Sequence, residues 1–137
     1  MLDTVGPMVT IGRFRTVDAV GVARLCQHFG WPTYSDPAVA ARGCVAPGVH
    51  TVVARDADDD VVGFAQALTD GEAASFLSQL AVAESHRRRG VGRRLVEEVF
   101  QLTGAARMDL VTDSAADFYR SFAHKAWAGF RIYPDHP

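Results

Sequence analysis

Between Leu80 and Thr103 the sequence passes from an apolar, β-type run through a basic turn into a run of helical period. This succession of strand, turn and helix restricts the chain to folds that mix sheet and helix. The turn reads Arg87-Arg88-Arg89-Gly90-Val91-Gly92-Arg93-Arg94 and holds five of the 14 Lys and Arg residues, although the net charge is -2. Cation concentrated in one turn points to a local anion site rather than to general affinity for nucleic acid. Beyond it Val91, Leu95, Val99 and Leu102 keep helical spacing, Arg and Glu take the other face, and Gly104 stands at a C-terminal cap. A helix is expected over Gly90 to Thr103.

The rest of the chain supplies the partners of this unit. Val9 to Arg15 alternates apolar and polar residues, as a half-buried strand does. Thr16 or Asp18 then caps a helix carrying Val20, Ala23, Leu25 and Phe29, stopped by Gly30 and Pro32. Asp36 and Pro37 form an N-cap and N1 pair for a short helix through Ala38 to Arg42, ended by Gly43 and Pro47. His50 to Ala54 and Val61 to Leu68 read as a hairpin with an Asp-rich tip, and Ala74 to Val82 follows the turn signal Asp70-Gly71 as a third antiparallel strand. Met108 to Thr112 is expected as a strand, Ser114 to Phe122 as a helix, and Gly129 to Tyr133 as a closing strand stopped by Pro134.

At 137 residues, 48% hydrophobic and 22% charged, the chain suits one soluble domain over 1–137 with an ordinary core. It has neither a long apolar run for a membrane span nor a signal-peptide core, so a cytoplasmic location is expected. Cys26 and Cys44 lack CxxC spacing and read as buried thiols. The five histidines show no HxxxH or HExxH pattern. A calcium loop counted from Asp56 would place Val61 where glycine is required and Ala67 where the bidentate acid belongs. No metal is expected.

A turn that opens a helix gathers backbone N–H groups and the positive end of the helix dipole, which is where phosphate binds. The dinucleotide fingerprint requires a third glycine where Leu95 stands, and the P-loop requires Gly-Lys-Ser/Thr where Arg94 to Val96 stand. The remaining pattern, Arg87-x-x-Gly90-x-Gly92, resembles the Q/R-x-x-G-x-G/A motif of the GCN5-related N-acetyltransferases (GNAT). The likeness runs from Leu80-Ala81-Val82 through Leu95 and on to Phe118-Tyr119, and the element order fits from about residue 9 to 133. It implies a GNAT-type α/β (α+β) fold, with a mixed central sheet of about six to seven strands flanked by about four helices. It further implies acetyl-CoA as co-substrate. Backbone groups of Leu80, Ala81 and Val82, beside a bulge, would pair with the pantetheine arm. Arg87, Arg88, Arg89, Gly90, Val91, Gly92 and Arg93 would hold the pyrophosphate.

The same resemblance makes Tyr119 the candidate acid that protonates the departing thiolate; taken alone, a Tyr beside Phe118 on an amphipathic helix also fits a core residue. Asp70, Glu72, Ser78, Gln79, Glu84 and His86 lie near strand ends or on the third strand, and none is singled out as base. Trp31, Pro32 and Tyr34 fall where the family builds a wall of the acceptor pocket. Asp113 and Phe122-Ala123-His124 depart from the family pattern, which leaves the end of the fold open. The expected activity is acetyl transfer to a primary amine of a small molecule or protein, by direct attack through a tetrahedral intermediate. The alternative is a non-catalytic acyl-CoA or phosphate-binding sensor. Neither nucleic acid nor membrane is an expected partner, while the C-terminal segment offers a way to pair across a homodimer.

Overall fold

A computed structural model describes residues 3–4 and 8–135. The chain runs β1 (Asp3–Thr4), β2 (Thr10–Arg13), α1 (Ala19–His28), α2 (Pro37–Gly43), β3 (Val49–Arg55), β4 (Val61–Thr69), β5 (Ala74–Val82), α3 (Val91–Thr103), β6 (Arg107–Asp109) and α4 (Ala116–Arg120). Single 3-10 turns at Thr16–Asp18 and Glu84–His86 lead into α1 and follow β5. The six strands form one sheet in chain order, antiparallel through β5 and parallel between β5 and β6. The count meets the lower bound of the expected six to seven, and falls to five if the two-residue β1 is set aside.

Alternation along the strands divides the core between the two faces of the sheet. Val52, Ala54, Ala65, Ala67 and Leu77 meet Val91, Leu95, Val96 and Val99 of α3. Val53, Phe64 and Ala81 meet Val22, Leu25 and Cys26 of α1 and Ala40 of α2. Asp36 caps α2 as its sequence signature requires, its carboxylate accepting from Ala38 N at 2.9 Å. The Asp-rich tip between β3 and β4 is closed by Asp56 Oδ1, which accepts from Asp58 N and Asp60 N.

The expected apolar face of α1 holds at Ala23, Leu25 and the half-buried Phe29, and fails at Val20. Val20 is 55% exposed, and the buried positions are Ala19, Val22, Ala23, Leu25 and Cys26, because the helix begins at Ala19 and its apolar period counts from there. Asp18 gives α1 no side-chain cap. It is 3% exposed and pairs with the equally buried Arg55, whose Nε donates to Asp18 Oδ1 at 3.0 Å while Nη2 reaches Oδ2 and Arg13 O.

The closing strand expected over Gly129 to Tyr133 does not form. Residues 123–132 carry no regular structure, Tyr133 makes an isolated bridge, and Phe130 and Ile132 are 85% and 89% exposed. Their alternation has the period of a strand, but a strand also requires a neighbouring ladder. β6 is only three residues long, shorter than the expected Met108 to Thr112, and offers little edge to pair with.

Candidate functional site

The site is built where β5, the turn after it and α3 meet. β4 and β5 pair from Thr69↔Ser75 to Ala67↔Leu77, and then from Gln66↔Gln79 to Gly63↔Val82, so Ser78 is an extra residue and β5 carries a bulge there. The parallel pairing with β6 covers only Ala74 to Phe76. β6 ends at Asp109, the partner of Phe76, and the β6-facing edge of β5 from Leu77 to Val82 has no strand beside it among the described residues. Alternate backbone groups on such an edge are available to a ligand that carries amides. Leu80 and Val82 turn their side chains to the α3 side of the core, and Ala81 to the α1 side, so packing and backbone exposure coexist.

The turn from Ala83 reaches α3 through two left-handed residues, Arg88 (φ 63°) and Gly90 (φ 82°). Gly90 is the N-cap, and no side chain caps the helix. The first N–H groups of α3 therefore have neither an intrahelical acceptor nor a capping side chain, and stand at the positive end of the helix dipole. Gly92 also has a packing reason that the sequence does not announce. It lies within α3, outside the positive-φ residues, and a Cβ there would stand 3.3 Å from Phe118 Cζ. Its hydrogen lets α4 pack on α3.

The arginines divide by role. Arg87 Nε donates to Val82 O at 3.1 Å, and its guanidinium lies 5.2 Å from the centre of the Phe29 ring, so it ties the turn to α1. Arg93 Nη2 donates to Ser121 O at 2.9 Å, and the guanidinium lies 4.0 Å from the centre of the Phe122 ring, so it ties the turn to the end of α4. Arg94 pairs with Glu97 and Glu98 along α3. Arg88 and Arg89 stand exposed on the rim.

Tyr119 lies against the core cluster that also receives Leu80, Val82 and Phe118, with its ring 4.9 Å from that of Phe118. Burial pushes its phenol above the ordinary tyrosine value, because the phenolate would lose hydration. The residues considered as bases are not brought together. Asp70 accepts from the backbone N–H groups of Glu72, Ala73 and Ala74, which hold its carboxyl below the usual range and make it a loop staple. Glu84 Oε1 lies 3.4 Å from His28 Nε2, and His86 Nδ1 lies 2.7 Å from Ser85 Oγ, both on the exposed 3-10 turn.

Tyr34 is buried rather than lining an open wall, with its hydroxyl accepting from Gln66 Nε2 at 2.8 Å. Trp31 stacks near Phe29 with ring centres 5.5 Å apart. Cys26 and Cys44 are free and buried, and burial pushes both thiols up to about 11. Among the described residues no group of three or more His, Cys, Asp or Glu comes together to hold a metal ion. The sequence reading missed Gln66 and Arg55. The signal for Gln66 was available, since it is the only polar side chain from Val61 to Leu68.

Comparison with known proteins matches the "Acetyltransferase (GNAT) domain" family over residues 47–123. Mycothiol acetyltransferase of Saccharopolyspora erythraea is 32% identical over 93 residues, which are 66% of this chain and 28% of that protein. The chain thus spans well under half the length of this curated relative. Among solved structures, a Trypanosoma brucei acetyltransferase superposes with a TM-score of 0.75 at 18% identity, covering 91% of this chain and 98% of the other. AAC(6')-Iy, solved in complex with the bisubstrate analogue CoA-S-monomethyl-acetylneamine, superposes with a TM-score of 0.75 at 20% identity, covering 94% and 99%. At these identities the structural likeness speaks for the fold.

Proposed function

The chain belongs to the GNAT acetyltransferase family, and from that premise we propose that it transfers the acetyl group of acetyl-CoA to a primary amine of an acceptor. The observation that carries the reading is the bulged β5 edge, unpaired beyond Phe76, running into a helix start with no side-chain cap and flanked by arginines. An amide-bearing arm fits the edge, and a pyrophosphate fits the turn. In this reading Leu80, Ala81 and Val82 receive the pantetheine, while residues 87–93 receive the pyrophosphate through the α3 N–H groups and the exposed Arg88 and Arg89. Arg87 and Arg93 would contribute by holding the turn between α1 and α4.

The amine nitrogen attacks the thioester carbonyl to form a tetrahedral intermediate, and a backbone N–H beside the bulge stabilises its oxyanion. Collapse breaks the C–S bond, and Tyr119, kept protonated by burial, gives its proton to the thiolate. The amine loses its proton to water. A small-molecule acceptor is favoured by the 32%-identical relative, a mycothiol acetyltransferase.

The test has a binding arm and a turnover arm. Coenzyme A should raise the melting temperature while DNA of equal phosphate content does not, and acetyl-CoA should release thiol with at least one member of a broad panel of primary amines. Stabilisation by coenzyme A with no thiol release on any amine would leave the sensor reading in its place; stabilisation by DNA alone would remove both.

A further inference from the structure

Gln66 sits in the middle of β4 and is 4% exposed, between the fully buried Phe64, Ala65 and Ala67. Burying an amide in a central strand is unfavourable unless both its ends are bonded, and an apolar side chain of similar volume would serve the core as well. Both ends are bonded. Nε2 donates to the Tyr34 hydroxyl oxygen at 2.8 Å, and Oε1 accepts from Ser78 Oγ at 2.8 Å. Ser78 Oγ also lies 3.1 Å from Gln66 O, so its one proton is shared between side chain and main chain of the same residue.

Ser78 is the inserted residue of the β5 bulge, which means that the bulge is fastened by its own side chain to the neighbouring strand β4. Tyr34, from the loop between α1 and α2, holds the far end of the clamp. Gly43 makes room for it, since a Cβ there would stand 2.3 Å from the Tyr34 hydroxyl oxygen. A bulge bends its strand and increases the local twist. This one lies two residues beyond Phe76, the last residue of β5 paired with β6. Fixing Ser78 therefore fixes the course of Leu80, Ala81 and Val82 along the edge that lies beyond the β6 pairing.

We propose that Gln66 is a positioning residue for the coenzyme slot, holding through Ser78 and Tyr34 the bulge whose shape aims the backbone of residues 80–82 at the pantetheine arm. The inference rests on the coenzyme A reading proposed above. Gln66 acts through Ser78 without touching the ligand.

The experiment compares coenzyme A with 3′-phospho-ADP, its nucleotide half without the arm, by calorimetric titration of the full chain. Gln66→Leu and Ser78→Ala should each weaken coenzyme A by about tenfold, the equivalent of one lost hydrogen bond, and leave 3′-phospho-ADP within about twofold. Ser78→Thr keeps the hydroxyl and should restore coenzyme affinity. A general structural role would weaken both ligands alike, and that result, or equal coenzyme affinity in wild type and Ser78→Ala, overturns the proposal. If Gln66→Leu fails to fold, the single-atom deletion Ser78→Ala carries the comparison. Wild type that binds neither ligand removes the coenzyme reading itself and this inference with it, whereas wild type that binds coenzyme A beside an unaffected Ser78→Ala removes only the inference.

Discussion

The half-buried Tyr119 and the buried Asp18 are ionisable residues whose protonation has opposite consequences. Tyr119 must be protonated to act as an acid, and burial pushes its phenol upward, so turnover should hold across neutral pH and fall only above the ordinary tyrosine value of about 10. Tyr119→Phe should lower turnover by about a hundredfold or more while leaving coenzyme affinity nearly intact. Steady-state thiol release and calorimetry check the two halves, and equal turnover in the variant would take the acid role from Tyr119. For Asp18, burial raises the carboxyl, but hydrogen bonds from Arg55 and Arg15 N and the Arg55 charge outweigh it, and the net shift is downward. A lowered folded-state value contributes stability above the unfolded value of about 3.9, and that stability is lost as pH falls through the folded value. Asp18→Ala leaves buried Arg55 with only Arg13 O and the more distant Asp59 carboxylate, and should cost about 3 kcal/mol in denaturant unfolding at neutral pH, with the difference from wild type shrinking in acid.

At the level of elements, the three-strand meander and α3 were legible because each is long and strongly patterned. Ala74 to Val82 was read with its observed bounds, and α3 differs from its reading only in that Gly90 is the cap rather than the first helical residue. The shorter elements lost residues at their ends, and the closing strand was absent, because period and propensity describe one chain segment while a ladder requires two. Gly92 connects the turn to α4. Gly92→Ala presses a Cβ to 3.3 Å from Phe118 Cζ, a contact that a small shift of the ring relieves, so coenzyme affinity should change little. Gly92→Glu adds bulk against Phe118 and negative charge at the helix start, and it should abolish coenzyme binding in the same calorimetric titration.

At the level of the whole molecule, the sheet separates two halves of the candidate machinery. One face carries α3 with Tyr119, Leu80 and Val82 packed around it, and the other carries α1, α2 and the Tyr34–Gln66–Ser78 clamp. The bulge is the point where both faces act on one strand. A ligand that binds only the folded state stabilises all of it by mass action. Coenzyme A at about 100 times its dissociation constant should therefore add about 2.7 kcal/mol, read as an upward shift of the melting temperature, whereas DNA of equal phosphate content should give no comparable shift.

The sequence by itself determined the family, the order of the elements from the first strand to the last helix, and the basic, glycine-bearing turn that opens α3. These rest on local patterns: β-branched runs, helical spacing, the placing of Gly90, and arginines crowded into eight residues. Only the tertiary structure decided what those residues do for one another. It tied Arg87 and Arg93 to neighbouring helices, gave Gly92 a packing reason, buried Asp18 against Arg55 and joined Gln66 to the bulge. The physical reason is sequence distance. Asp18 and Arg55 are 37 residues apart, and Gln66 and Tyr34 are 32 apart, so no local period can announce contacts that exist only once the sheet has assembled.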